Sequence, residues 1–225
     1  MLASTSKRAT FAVVAGALST LLLIPIAAAD KPPTEWDGLQ QTKSKRVQLL
    51  YVRPGATLQG YKLVRLEPLQ VEFDKNWDPN SSRHGAARLT ADDFAKMKKN
   101  LATIFHEQCG KDLAKGGYKL STQAGDDVLD VTPIVVDLYV AAPDKMTPGR
   151  SYTYVADPGR MTLVAELRDS DTNQVIARAI DKRAATGWGG QFQISSSVSN
   201  RAAAEQIISR WCGALRDALD DANGK

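Results

Sequence analysis

Apolar positions alternate most cleanly over residues 161–180, MTLVAELRDSDTNQVIARAI, where Leu163, Ala165 and Leu167, then Val175, Ala177 and Ala179, fall at every second residue. Period two marks strands with one apolar face. Residues 169–173 between them are Asp, Ser, Asp, Thr and Asn, side chains that bond their own backbone in tight reversals. The pattern predicts a β-hairpin whose second strand runs on to about Arg183, with Glu166 facing Arg178 in one register. Its apolar face needs a cover, and two helical stripes can supply it. Phe94, Met97, Leu101, Ile104, Phe105 and Leu113 recur at spacings that suit one helix face. Thr90 and Asp93 resemble a capping box at its start, Asp92 and Asp93 suit the positive end of the helix dipole, and Gly116-Gly117 ends it. Ala204, Ile207, Ile208, Trp211, Leu215 and Leu219 predict a last helix, entered through the Gly- and Ser-rich stretch 186–200.

The remaining pattern adds strands at 47–53, stopped by Pro54-Gly55, at 62–73, interrupted by Pro68, and briefly at 118–122. The most β-branched run, 128–142, is expected as the central strand, with a bulge at Pro133 because proline donates no ladder hydrogen bond. Residues 74–88 and 143–160 read as polar loops. Strands in blocks with two helices predict an α+β fold: a mixed or mainly antiparallel sheet with two amphipathic helices packed on one face.

The first 29 residues are different in kind. Lys7-Arg8, an apolar run from Phe11 to Ile26 and Ala27-Ala28-Ala29 are the parts of a signal peptide cut after Ala29. The run is short for a membrane span, which needs about 20 residues; no lipid-accepting Cys follows it. Residues 30–46 (DKPPTEWDGLQQTKSKR) are polar and aperiodic, a flexible N-terminal arm in which Trp36 would pack onto the body. Residues 47–225 then form a single domain, with no further span. The formal charge is +4, and removing the leader with Lys7 and Arg8 lowers it to +2, a poor argument for nucleic acid. A periplasmic or secreted location is expected.

Candidate chemistry is sparse. Cys109 and Cys212 each lie near a helical stripe, so they are expected either as a bridge between the helices, in keeping with an oxidising compartment, or as two buried thiols. Only His84 and His106 are available as imidazoles, no H-E-x-x-H or C-x-x-C occurs, and no metal site is expected. No G-x-S-x-G elbow or phosphate-binding glycine motif appears, so neither catalysis nor a cofactor is expected. Trp188 and Phe192 in one Gly/Ser loop and Trp77 in another are candidate partner contacts, or fold back over the core rim.

The stretches Trp36-Asp37-Gly38-Leu39, VQLLYVRPGATLQGYKLVRLEPLQVEF (47–73) and ELRDSDTNQVIARAIDKR (166–183), with Trp211 and Leu215 of the last helix, together resemble a family of bacterial envelope proteins catalogued as a domain of unknown function. Many of its members are predicted lipoproteins. The resemblance implies an envelope location and carries no catalytic residues to transfer. The expectation is therefore a non-catalytic periplasmic binding or accessory protein, its partner another envelope protein, a lipid or a cell-wall component. The alternatives are an exported hydrolase using His84 or His106, and a carrier of metal or small ligand.

Overall fold

The computed structural model describes residues 31–81, 84–85, 88–140, 153–155, 159–185, 193–195 and 197–225. The predicted hairpin is its centre. Strands β9 (Gly159–Asp169) and β10 (Val175–Ala184) pair antiparallel through nine residue pairs, Arg178 opposite Glu166. Asp169 closes the turn by accepting hydrogen bonds from the Thr172 N–H and hydroxyl, each at 2.7 Å, and Asn173 takes the left-handed conformation. On the far side of β9 runs the long β7 (Val128–Val140), also antiparallel. Two short strands, β4 (Leu63–Leu66) and β5 (Gln70–Phe73), lie parallel to β7 one after the other. Strand β6 (Lys119–Leu120) pairs with β4.

Pro133 sits differently from expectation. It pairs in regular register with Ala165, and the irregularity falls at 136–139, where Asp137 takes a positive φ. The reason lies on the other side of β7. The Glu67 N–H donates to the Val131 carbonyl, 2.9 Å, and a parallel ladder would continue with residue 133 donating to Glu67. Proline has no such N–H. β4 therefore ends at Leu66, the chain bows out through Pro68, and β5 resumes at Gln70. Two prolines facing one gap divide the strand expected over 62–73.

The expected arm is also corrected. Within 30–46, β1 (Glu35–Trp36) and β2 (Leu39–Thr42) form a hairpin that pairs onto β3 (Leu49–Val52), which pairs with β10. Asp37 and Gly38, both at positive φ, make a two-residue reversal of the kind that Asp-Gly favours. Trp36 docks as anticipated: its ring meets Tyr51 edge-on with centroids 5.7 Å apart, and the Arg178 guanidinium lies 4.4 Å over it. Arg178 also donates to Asp37 at 2.5 Å and to Glu166 at 2.7 Å, so one cation ties the N-terminal hairpin to the central one.

The nine-stranded sheet thus runs β1-β2-β3-β10-β9-β7-β4-β6, with β5 also on β7. A separate two-stranded sheet pairs β8 (Thr153–Val155) with β11 (Gln193–Ser195), where the sequence had predicted only loops. Helix α1 (Ala91–Lys115) starts at the predicted capping box: Thr90 Oγ1 accepts from the Asp93 N–H, and the Asp93 carboxylate accepts from the Thr90 N–H at 2.8 Å. Helix α2 (Ser197–Asn223) packs against α1 and β11, while α1 also packs on β5 and β6. Residues 33–225 form one compact unit.

Candidate functional site

The helix-facing side of the sheet is built in cross-strand rows. One row reads Leu50, Ala179, Ala165, Pro133 across β3, β10, β9 and β7. The next row toward the hairpin turn reads Val52, Ala177, Leu167, Val131, and the row on the other side contains Asp181, Leu163 and Val135. Two adjacent alanines in the middle row leave the floor low, between Leu163 and Leu167 on β9 and beside a third alanine, Ala177, on β10. A cleft of about 190 Å3 opens there, roofed by Phe105, Cys109 and Leu113 of α1 and by Trp211, Cys212 and Leu215 of α2. A single buried water needs about 10–15 Å3, so the space is far larger than a packing defect. Its mouth lies between α2 and the segments around Arg46 and Leu58.

The cleft is apolar almost throughout. Among its described lining residues only Ser44, Arg46 and Thr57, at the mouth, carry polar side chains besides Trp211, and the Trp211 indole N–H is already spent on the Asp181 carboxylate at 2.8 Å. That buried carboxylate also accepts from the Gln48 N–H at 3.0 Å and from Arg183 at 2.5 Å. It is fully partnered, as a buried charge must be, and it joins α2 to β10.

Two further ties set the height of the roof. Cys109 and Cys212 are bonded, with Cα atoms 5.0 Å apart, inside the range a disulfide spans; of the two expectations for these cysteines, the bridge is the one realised. Three residues further along α1, the buried Asp112 accepts from Gln108 at 2.9 Å and from Lys115 at 2.5 Å. Burial pushes the Asp112 carboxyl up, but hydrogen bonds from Lys115, Gln108 and Ser209 outweigh it and leave it below its ordinary value. Since Ser209 is on α2, this carboxylate is a second clamp between the helices.

The residues singled out from sequence do not converge on the cleft, apart from the two cysteines. His84 is exposed in its loop and His106 on the outer face of α1. Trp77 is half-buried, stacked on Phe73 at 4.8 Å with its indole N–H donating to the Val140 carbonyl at 3.0 Å. Trp188 and Phe192 lie outside the described residues. Among the described residues no group of three or more His, Cys, Asp or Glu is placed to hold a metal, and no helix is long and apolar enough to cross a membrane. What sequence reasoning missed is the alanine pair. Ala165 and Ala179 were legible as an apolar face, but their facing each other, and so their meaning as a depression, depends on the register.

Over residues 30–215 the chain matches the model of a family described as a protein of unknown function, DUF3313, and it belongs to that family. Comparison with curated proteins gives no match. Among solved structures it is similar to a PelC dodecamer from Paraburkholderia phytofirmans, at 14% identity over 78% of this chain and 96% of that one, TM-score 0.36. A Xanthomonas campestris protein of the DUF330 family model is 14% identical over 77% and 89%, TM-score 0.40. A minor lipoprotein from Acinetobacter baumannii is 14% identical over 72% and 93%, TM-score 0.26. Likeness this distant says nothing of what the chain binds.

Proposed function

We propose that this is a non-catalytic binding or accessory protein of the bacterial cell envelope, exported by a signal peptide over residues 1–29 and working in the periplasm with an apolar ligand in the cleft. The cleft under α2 carries the reading: an apolar hollow kept open by a disulfide and two buried carboxylates has the lining and concavity of a small-molecule site. The disulfide is compatible with an oxidising compartment. His84 and His106 are both exposed and neither lines the cleft, which favours the binding reading over the hydrolase alternative, and Trp77 adds little to a partner-docking role with its ring packed on Phe73.

Titration with a neutral, environment-sensitive naphthylamine dye tests the reading. Saturable binding at one site is expected, abolished in Ala179→Leu, whose added side chain fills the middle row. Dye binding that never saturates, or that survives the filled cleft unchanged, sinks it. Export is checked separately, by the N-terminal sequence of the protein recovered from the periplasmic fraction. It should begin at Asp30, and recovery of the intact chain from the cytosol contradicts it.

A further inference from the structure

The mouth of the cleft is not neutral. Immediately beside it lies a shallow depression lined by Arg46, Arg183, Ser209, Arg210, Gly213, Ala214 and Asp217, and Arg46 and Ala214 belong to both hollows. Three guanidiniums and the Asp217 carboxylate line the depression, and Arg46 and Arg183 each carry a further carboxylate partner, Asp221 and Asp181. Their own partners leave capacity. Arg183 is engaged with Asp181 and the Arg46 carbonyl. Arg46 gives one N–H to Asp221, 2.6 Å, out of the five a guanidinium has to donate. Asp217 is held by Arg216 at 2.5 Å. Arg210 is exposed and makes no ion pair with any described residue.

We infer that the ligand is a single-chain anionic amphiphile, a medium-chain fatty carboxylate of a size suited to a cleft of about 190 Å3, with its chain over Ala165 and Ala179 and its headgroup on Arg46 and Arg210. The inference rests on the proposed reading of the cleft and adds the chemistry of the ligand. A guanidinium fork matches a carboxylate in two parallel hydrogen bonds. The width of the floor selects one chain. Rows on one face of a sheet repeat every two residues, roughly 6.8 Å, and on β9 the low position Ala165 is bounded by Leu163 on one side and Leu167 on the other, the hollow widening only on β10 at Ala177. A diacyl lipid would need two such rows.

The test compares octanoate with methyl octanoate, which keeps the chain and removes the charge, by calorimetric titration of the oxidised protein. The acid should bind more tightly than the ester, and Arg210→Gln should close most of that gap by weakening the acid about fivefold, as loss of one solvent-exposed charged hydrogen bond implies. Arg210→Lys, which keeps the charge without the fork, should recover part of it. Equal affinities for acid and ester in the unsubstituted protein overturn the headgroup assignment while leaving the cleft as a neutral apolar site. Displacement of the acid by a diacyl phosphatidylglycerol at equal concentration overturns the single-chain assignment. Failure of both acid and ester to bind instead removes the underlying reading of the cleft.

Discussion

The two helices cover one sheet in different ways. Under the part of α1 away from the cleft, Leu101 and Ile104 are buried in one core with larger sheet residues, among them Val64, Val71, Leu129 and Val135. Beneath α2 the sheet presents Ala165, Ala177 and Ala179, and Leu215 above them is only partly buried. The bridge at Cys109–Cys212 and the Trp211–Asp181 bond hold α2 at its height, so it cannot settle onto the small residues. Close packing is the rule in protein interiors because a void forfeits dispersion contacts. A cleft persists only where something rigid stops the collapse.

That contrast can be broken in order of effect. Ile104→Ala, on the filled side, should cost about 2–5 kcal/mol in denaturant unfolding, whereas Leu215→Ala, over the cleft, should cost roughly half as much or less because part of its surface is already outside the packed core. Equal losses would mean the two sides are packed alike. Reduction of the disulfide, or the double change Cys109→Ala with Cys212→Ala, should lower stability by about 2–4 kcal/mol, since the bridge constrains a long loop in the unfolded chain. It should also weaken dye binding as α2 gains freedom to drop; unchanged unfolding midpoints with and without reductant contradict this.

Adding bulk should have opposite signs on the two sides. Ala179→Leu has room to occupy and is expected to stabilise by about 0.5–1 kcal/mol, as cavity-filling changes do. Val135→Phe, under α1, should destabilise by about 1–3 kcal/mol through overpacking. Thermal melting of both variants decides it, and a destabilised Ala179→Leu would show that the hollow is already full.

The smallest effect is outside both halves, at the hairpin turn, and serves as a control. The Tyr61 hydroxyl, at 2.6 Å, is the main cause holding the Asp169 carboxyl below its ordinary value, followed by the Thr172 N–H and hydroxyl. A carboxylate depressed in the folded state stabilises above its unfolded pKa, about 3.9, and that contribution fades as the pH falls through the folded value. The melting difference between the unsubstituted protein and Asp169→Asn should therefore be full at pH 6 and shrink below about pH 4. A difference that grows on acidification refutes the assignment.

Much of the scaffold was legible in local pattern. Thr90 with Asp93 marked the start of α1, the turn at 169–173 placed β9 against β10, and the stripes on both helices put Cys109 and Cys212 within reach of each other. The Asp37-Gly38 reversal was equally present, yet the polar composition around it masked the hairpin. Nothing local could show that β4 and β5 share β7 as a neighbour, because the missing hydrogen bond belongs to Pro133, more than sixty residues away from the gap at Pro68. The candidate site was the least visible part, since alanine, arginine and serine carry no motif of their own.

By itself the sequence determined the α+β class, the central hairpin, both amphipathic helices and the candidates for the bridge, because periodicity, caps and turn chemistry act between residues a few positions apart. The tertiary structure alone decided that Ala165 faces Ala179, that α2 is clamped above them, and that Arg46 and Arg210 line one depression beside the cleft. Those are properties of register and spacing between distant segments. An empty volume with a charged edge exists only once several separate elements have taken their places around it.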